Sequence, residues 1–209
     1  MISLLKTYLV EKFAQELPGK LAHIEIAPNR RIDFNEDELL NARESGVLIL
    51  LYLIEKEPHL ALMQRTTYDG AHSGQVSFPG GKRETLDRDI IHTALREANE
   101  EVGIVMDDVD VIGRLSDVYI PVSNFNVYPI VGCVNYHPQF MIDVREVEEL
   151  IELKLSDLTD VKELTISNIT LPNKTIIKAP SFRFNDKIIW GATALMLNEL
   201  RWVLRGFND

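Results

Sequence analysis

The chain has 209 residues and few of the features that mark secreted or membrane-spanning proteins. Cys133 is the only cysteine, so an intramolecular disulfide is excluded, and we expect a packed, reduced thiol and a cytoplasmic location. The longest uninterrupted apolar run, 47–54, falls far short of the roughly 20 residues that span a bilayer. Lys6, Glu11 and Lys12 interrupt the apolar N-terminal segment, which argues against a signal peptide. We therefore predict no membrane partner.

Basic residues are in deficit as well. The chain has 22 Lys+Arg against 32 Asp+Glu, a formal charge of −10. Because such a protein repels a phosphate backbone, we do not expect sequence-independent binding to nucleic acid. Hydrophobic residues make up 45% of the chain, enough for a packed core, and the sequence has no repeat, linker or low-complexity segment. We predict a single domain over 1–209, with 1–44 as a helical N-terminal extension packed on the rest.

Hydrophobic periodicity predicts a mixed α/β fold. The predicted helices are 2–17, 87–102 and 190–204. The predicted strands are 47–54, 60–64, 74–78, 109–115, 127–134 and 150–155. The first two strands are expected to form an antiparallel hairpin, residues 79–81 a turn, and 156–188 stay unassigned. Strands on both sides of a central helix favour a mixed α/β sandwich over a strictly alternating parallel fold.

The central predicted helix ends in an acidic run. Six acidic residues and no basic one lie from Glu97 to Asp110. At about 100° per residue, Glu97, Glu100 and Glu101 fall on one helix edge, beside the apolar stripe. Two like charges about 5 Å apart repel by roughly 3 kcal/mol at an effective dielectric near 20, so this cluster is expected to hold a proton or a cation. Mg²⁺ and Mn²⁺ prefer such oxygen ligands, whereas an ordinary solvated helix face is the alternative.

The surrounding residues favour the metal site. Phe78-Pro-Gly-Gly81 is followed by a polar loop and by Arg96-Glu-Ala-Asn-Glu-Glu-Val-Gly-Ile104. This arrangement resembles the Nudix box, G-x5-E-x7-R-E-U-x-E-E-x-G-U, where U is apolar. Residues 96–104 fit it at every fixed position when Ala98 counts as U. The first half differs, because Asp87 stands where the box has Glu, and eight residues rather than seven separate it from Arg96.

One branch of this family, the coenzyme A pyrophosphatases, is similar in having a longer loop with Asp. Its upstream signature, L-L-T-x-R-S-x3-R-x3-G-x3-F-P-G-G, is matched here in part. The matching positions are Leu62, Arg65, Gly74 and 78–81. The differing positions are Ala61, Met63, Thr66 and Gly70, the last standing where the branch has Arg. The resemblance implies cleavage of coenzyme A or acyl-CoA to phosphopantetheine and 3′,5′-ADP.

Two alternatives stay open at this stage. The same chemistry could act on ADP-ribose, a dinucleotide or a damaged nucleotide, or the chain could be a catalytically silent module that senses a nucleotide. An intact set of glutamates argues against the silent module. The resemblance also implies an α/β/α sandwich around a mixed sheet, a small nucleotide substrate, and a homodimer as in many relatives.

The resemblance assigns roles to individual residues. The implied ligands of Mg²⁺ or Mn²⁺ are Glu97, Glu100, Glu101 and the Gly81 carbonyl. Glu97, Glu100 and Glu101 are also the implied catalytic residues, and we add Glu146 as the further acid that relatives place before a late strand. The predicted phosphate contacts are Arg65, Lys82 and Arg83, with an exposed basic side chain as the alternative for each. The predicted structural residues are Gly80, Asp87, Arg96 and Gly103. We expect Arg96 to pair with Asp87 or a glutamate, and His72 to brace its loop.

Overall fold

The computed structural model describes residues 1–27, 34, 36–67, 73–171 and 173–207. The predictions for Gly70 and His72 lie outside the described residues. The helices in these ranges are Ile2–Phe13 (α1), Gly19–Ile26 (α2), Glu36–Leu40 (α3), Ile90–Val102 (α4), Leu155–Thr159 (α5) and Gly191–Val203 (α6), with a 3-10 helix at Met106–Asp108. In the part of the chain that is described, no helix has both the length and the apolar character needed to cross a membrane.

Within the same ranges, two sheets accompany the helices. The strands are Arg43–Ile54 (β1), Glu57–Arg65 (β2), Val76–Ser77 (β3), Gly80–Lys82 (β4), Asp110–Arg114 (β5), Val118–Ile120 (β6), Phe125–Cys133 (β7), Val147–Lys154 (β8), Thr165–Thr170 (β9), Ile176–Phe184 (β10) and Lys187–Ile189 (β11). The larger sheet has the order β3-β2-β1-β7-β5, and β4, β6 and β8 pair with β1, β7 and β2. Its β1–β7 pair is parallel and its other pairs are antiparallel, whereas β9–β11 form a separate antiparallel sheet.

Strand β1 separates two hydrophobic layers. Ile49 and Leu51 join the core that includes residues of α1 and α6, whereas Leu48 and Leu50 join the core that includes residues of α4. A Cβ atom on Gly46 would lie 2.7 Å from the carbonyl oxygen of Ile90, so glycine is needed where α4 packs on β1. Helices therefore cover both faces of the sheet, and the predicted α/β/α sandwich around a mixed sheet, with an N-terminal helix, is confirmed.

Helix α4 has distinct signals at both ends. Asp89 caps its start, because the side-chain Oδ1 accepts the N–H of His92 at 2.7 Å. The helix therefore begins at Ile90, three residues after the predicted start at residue 87. Gly103 ends the helix in the left-handed region at φ 74°, and its N–H donates to the Asn99 carbonyl.

Several boundaries differ from the sequence-based predictions. The predicted turn at 79–81 is partly strand, because Gly80 and Gly81 pair with β1 in an antiparallel ladder. The predicted strand 74–78 is reduced to β3, and the first helix ends at Phe13 rather than at residue 17. The unassigned stretch 156–188 contains most of α5 and the three-stranded sheet, and β6 was not predicted.

A buried carboxylate on α6 joins distant parts of the chain. Glu199 is fully buried and accepts the N–H of Gly19 at 3.1 Å and the Oγ–H of Ser116 at 2.7 Å. Its Oε2 also lies 3.2 Å from Nε2 of His23. These contacts tie the start of α2 to α6 and to the segment between β5 and β6. The assignment of 1–209 to one domain stays a prediction.

Candidate active site

Glu101 is the most deeply buried acid of the cluster on α4. Its side chain is 2% exposed, its Oε2 accepts the N–H of Gly80 at 2.7 Å, and its Oε1 lies 3.2 Å from Nη1 of Arg65. Burial is the main cause that raises the pKa of Glu101 to about 7, and the charges of Glu97 and Glu146 act in the same direction. Arg65 and the Gly80 N–H oppose this rise. Its surroundings thus favour the protonated form more than water does.

Glu97 lies against the main chain of β4. Its side chain is 16% exposed, and a Cβ atom on Gly81 would lie 2.4 Å from its carboxyl carbon. A larger residue at position 81 would therefore displace this carboxylate from its present position. Burial raises the pKa of Glu97, Arg96 lowers it, and the charges of Glu100 and Glu146 add to the rise. The Gly81 carbonyl accepts a hydrogen bond from Ser45 Oγ at 2.7 Å.

Glu146 comes from a loop but reaches the same cluster. It directly precedes β8, its side chain is exposed, and its charge acts on both Glu97 and Glu101. The Asp143 N–H donates to the Glu101 carbonyl at 2.9 Å, and the Thr66 N–H donates to the Glu146 carbonyl at 3.0 Å. The loop is therefore fixed between the end of α4 and the end of β2.

Asp87 organises the loop that leads into α4. It is buried, and it accepts Nε–H and Nη2–H of Arg96 at 2.9 and 3.0 Å. It also accepts Thr93 Oγ–H at 3.0 Å and the Glu84 N–H at 2.9 Å, and it lies 2.9 Å from His92 Nδ1. Arg96 is the main cause that holds the pKa of Asp87 well below its ordinary value, although burial opposes this. The buried charge is thus compensated from several directions.

Arg96 connects this loop to the acidic edge of α4. Besides Asp87, its guanidinium lies 3.0 Å from Glu97 Oε1 and 3.1 Å from Glu100 Oε2, and it donates to the Lys82 carbonyl at 3.2 Å. The side chain of Glu100 is 57% exposed, so it is the most solvated of the three helix glutamates. Arg96 therefore steers the carboxylates by direct contact.

The three predicted phosphate contacts lie in different surroundings. Arg65 reaches into the acidic cluster and pairs with Glu101. Arg83 instead pairs with Glu44, at 2.6 Å between Nη1 and Oε2. The side chain of Lys82 is exposed at the end of β4. Their roles as phosphate contacts stay predictions.

Sequence reasoning missed three residues that support the cluster. His92 and Thr93 contact Asp87, and Ser45 donates to the Gly81 carbonyl. Helix periodicity carries a signal for the first two, because they lie four and three residues before Arg96 and so share its face. The sequence holds no comparable signal for Ser45, whose contact depends on the pairing of β1 with β4.

The donor atoms suit a hard divalent cation, but they are engaged elsewhere. Carboxylate and main-chain carbonyl oxygens are the ligands that Mg²⁺ and Mn²⁺ prefer, and Gly81 leaves the space in which the Glu97 carboxylate meets the main chain. Within the described ranges, no three acidic, histidine or cysteine side chains are already grouped as metal ligands. Arg65 and Arg96 hold oxygens of Glu101, Glu97 and Glu100 instead. The ligand set therefore stays a prediction that requires these contacts to be exchanged.

A family model and similar proteins of known name point to the same family. The NUDIX domain model matches residues 42–182. The uncharacterized Nudix hydrolase NudL of Pectobacterium atrosepticum is 35% identical over 161 residues, which cover 76% of this chain and 81% of the relative. NudL of Yersinia pestis has the same identity over 161 residues, covering 76% and 78%. The solved structure of a Nudix hydrolase from M. smegmatis, RenU, is similar with a TM-score of 0.55 and 16% identity, covering 78% of this chain and 86% of that one, a likeness of fold alone.

Proposed function

This chain belongs to the Nudix family, and from that premise we propose a metal-dependent pyrophosphatase that cleaves the diphosphate of coenzyme A or acyl-CoA. The observation that carries the chemistry is the pair of poorly solvated carboxylates, Glu97 and Glu101, beside the glycines of β4. Glu146 adds a third negative charge at the same place. Such a concentration of buried negative charge is costly unless a cation or a proton compensates it.

The residues of the chain have separable tasks in this proposal. Glu97, Glu100, Glu101 and the Gly81 carbonyl would hold Mg²⁺ or Mn²⁺. The bound ion would polarise the diphosphate and lower the pKa of the attacking water. Glu97, whose pKa burial raises, is suited to orient that water and accept its proton. Gly80 fixes the Glu101 carboxylate through its N–H, and Arg96 fixes Glu97 from the side of the loop.

Coenzyme A as the substrate is supported by sequence features. The loop before α4 is one residue longer than in the general box, and its Asp87 turns inward to hold Arg96. The upstream signature is matched at Arg65, which reaches the acidic cluster. A 3′-phosphate would need a cation close by, and the exposed ammonium of Lys82 at the end of β4 is available for it. These features agree with the coenzyme A branch and motivate a direct test.

The test is a substrate panel with and without metal. Purified protein is incubated with coenzyme A, ADP-ribose, NADH, a diadenosine polyphosphate and nucleoside triphosphates, in Mg²⁺, Mn²⁺ or EDTA. Release of 3′,5′-ADP from coenzyme A in the presence of metal, and not in EDTA, is the expected result. Preferential cleavage of ADP-ribose would overturn the coenzyme A assignment. Failure to cleave any of these compounds would contradict the hydrolase itself.

Matched variants separate loss of chemistry from loss of fold. Glu101→Gln removes one carboxylate oxygen donor from the cluster and should lower turnover by about 100-fold or more. Glu11→Gln makes the same chemical change on the exposed side of α1 and should leave turnover unchanged. Near-normal turnover of Glu101→Gln would refute the assigned ligand.

A further inference from the structure

Arg65 differs from the other arginine at the acidic cluster in how it is held. It ends β2, its main-chain N–H donates to the Gln75 carbonyl at 3.0 Å, and its side chain is 22% exposed. Its guanidinium makes one side-chain hydrogen bond within the described residues, from Nη1 to Glu101. Arg96, by contrast, donates twice to buried Asp87. The Arg65 side chain can therefore leave its partner while its backbone stays fixed.

The contact of Arg65 falls on the one oxygen of Glu101 that the main chain leaves free. Oε2 is taken by the Gly80 N–H, and Oε1 faces Arg65. A divalent cation that binds Glu101 must either replace the guanidinium at Oε1 or share the carboxylate with it. Sharing places two cations within a few ångström of each other in a poorly solvated space, which is unfavourable. Metal and guanidinium therefore compete for Glu101.

We propose that Arg65 is an internal counter-ion that neutralises Glu101 when metal is absent and yields it to the divalent cation when metal binds. Once released, the guanidinium lies beside the cluster with its donors free for a phosphate oxygen of the substrate. Arg65 thus has two roles, one after the other. It first controls access of the metal to Glu101, and after metal binding it contacts the substrate. This inference rests on the proposed function, because it takes the metal site as given.

The test measures Mn²⁺ binding directly, without substrate, by the electron paramagnetic resonance signal of free Mn²⁺. Arg65→Ala removes the competitor and should bind Mn²⁺ about tenfold more tightly than the wild type, the size expected for a hydrogen bond to a charged group. Arg65→Gln is a second neutral variant, with a longer side chain, and should show the same gain. Arg65→Lys keeps the charge and should stay close to the wild type.

Arg114→Ala is the control for net charge. Arg114 is exposed on β5, whereas Arg65 ends β2. Strands β1 and β7 lie between β2 and β5, and neighbouring strands are roughly 5 Å apart. Its Mn²⁺ affinity should stay within about twofold of the wild type, because a surface charge roughly 14 Å away is largely screened. A gain as large as that of Arg65→Ala would show a general charge effect and overturn the proposal.

The outcomes separate this inference from the proposed function. If Glu101→Gln binds Mn²⁺ as tightly as the wild type, the ligand set of the proposed function is wrong. If Glu101→Gln loses Mn²⁺ while both neutral Arg65 variants bind it with unchanged or lower affinity, only the counter-ion role is wrong. Circular dichroism establishes that each variant is folded. In steady-state assays with saturating metal, Arg65→Ala should raise KM for the substrate, as loss of a phosphate contact requires.

Discussion

The buried carboxyl of Glu101 should make the stability of the metal-free protein depend on pH. Its pKa is about 7 in the folded chain, against an ordinary value of 4.5. Below pH 4.5 both folded and unfolded states bind the proton, so the contribution of Glu101 is fully present. Between pH 4.5 and 7 the folded state holds more protons than the unfolded state, and stability falls as pH rises. Above pH 7 both states are ionised and the fall is complete.

The size of this effect follows from the difference between the two pKa values. Each pKa unit corresponds to about 1.4 kcal/mol, so the free energy of unfolding should fall by about 3 kcal/mol between pH 5 and pH 8. Solvent screening reduces this little, because the side chain is 2% exposed. Asp87 does not obscure the effect, since Arg96 and the other donors lower its pKa and place its titration below this range.

The measurement is urea unfolding in EDTA at pH 5, 6, 7 and 8, for the wild type and for Glu101→Gln. The variant cannot titrate at this position, so the difference between the two proteins reports the contribution of Glu101. The wild type should lose about 3 kcal/mol relative to the variant across the series. Saturating Mg²⁺ should restore most of this loss at pH 8, because it compensates the ionised carboxylate. A difference that does not change with pH would refute the reasoning.

Three further predictions concern the residues that hold the site and the fold. Asp87→Asn leaves the guanidinium of Arg96 without its buried counter-charge and should lower the free energy of unfolding by about 3 kcal/mol, as measured by denaturant titration. A change below about 1 kcal/mol would contradict the assigned pairing. Gly81→Ala places a methyl group within 2.4 Å of the Glu97 carboxyl carbon and should weaken Mn²⁺ binding at least about tenfold while the protein stays folded. Unchanged Mn²⁺ affinity would show that Glu97 does not bind the metal from this position. Glu199→Gln replaces a buried carboxylate acceptor and should lower the melting temperature by several degrees without changing Mn²⁺ affinity; a loss of affinity would mean that this network reaches the site.

The sequence predicted the parts of the site that depend on neighbours along the chain. The 3.6-residue periodicity predicted α4 and placed Glu97 and Glu101 on the edge beside the apolar stripe, where Glu101 is buried and Glu97 is partly buried. The hairpin predicted from 47–54 and 60–64 is present as β1 and β2. Both features arise from local patterning, which a single sequence carries in full.

The sequence predicted that Arg96 pairs with Asp87 or a glutamate, and the structure confirms it, but it did not predict the partner of Glu101. Arg65 and Glu101 are 36 residues apart, and they meet only because the end of β2 lies beside α4. The pairing of Gly80 and Gly81 with β1 was likewise hidden, since Pro-Gly-Gly predicts a turn whatever strand lies alongside. These contacts depend on the order of strands in the sheet, and hydrophobic periodicity does not encode that order.

The charge of the cluster explains how so acidic a chain could accept a polyphosphate ester. The ionisable groups at the cluster are the carboxyl groups of Glu97, Glu100, Glu101 and Glu146 and the guanidinium groups of Arg65 and Arg96. Arg96 also compensates the buried charge of Asp87. With every carboxylate ionised, negative charges outnumber positive ones at the cluster, and a diphosphate is repelled. One divalent cation would reduce this excess, and its competition with Arg65 would also free a guanidinium for the phosphate. Metal binding should therefore increase the affinity for substrate by more than charge neutralisation alone would give. Arg65→Ala should reduce this coupling between metal binding and substrate binding.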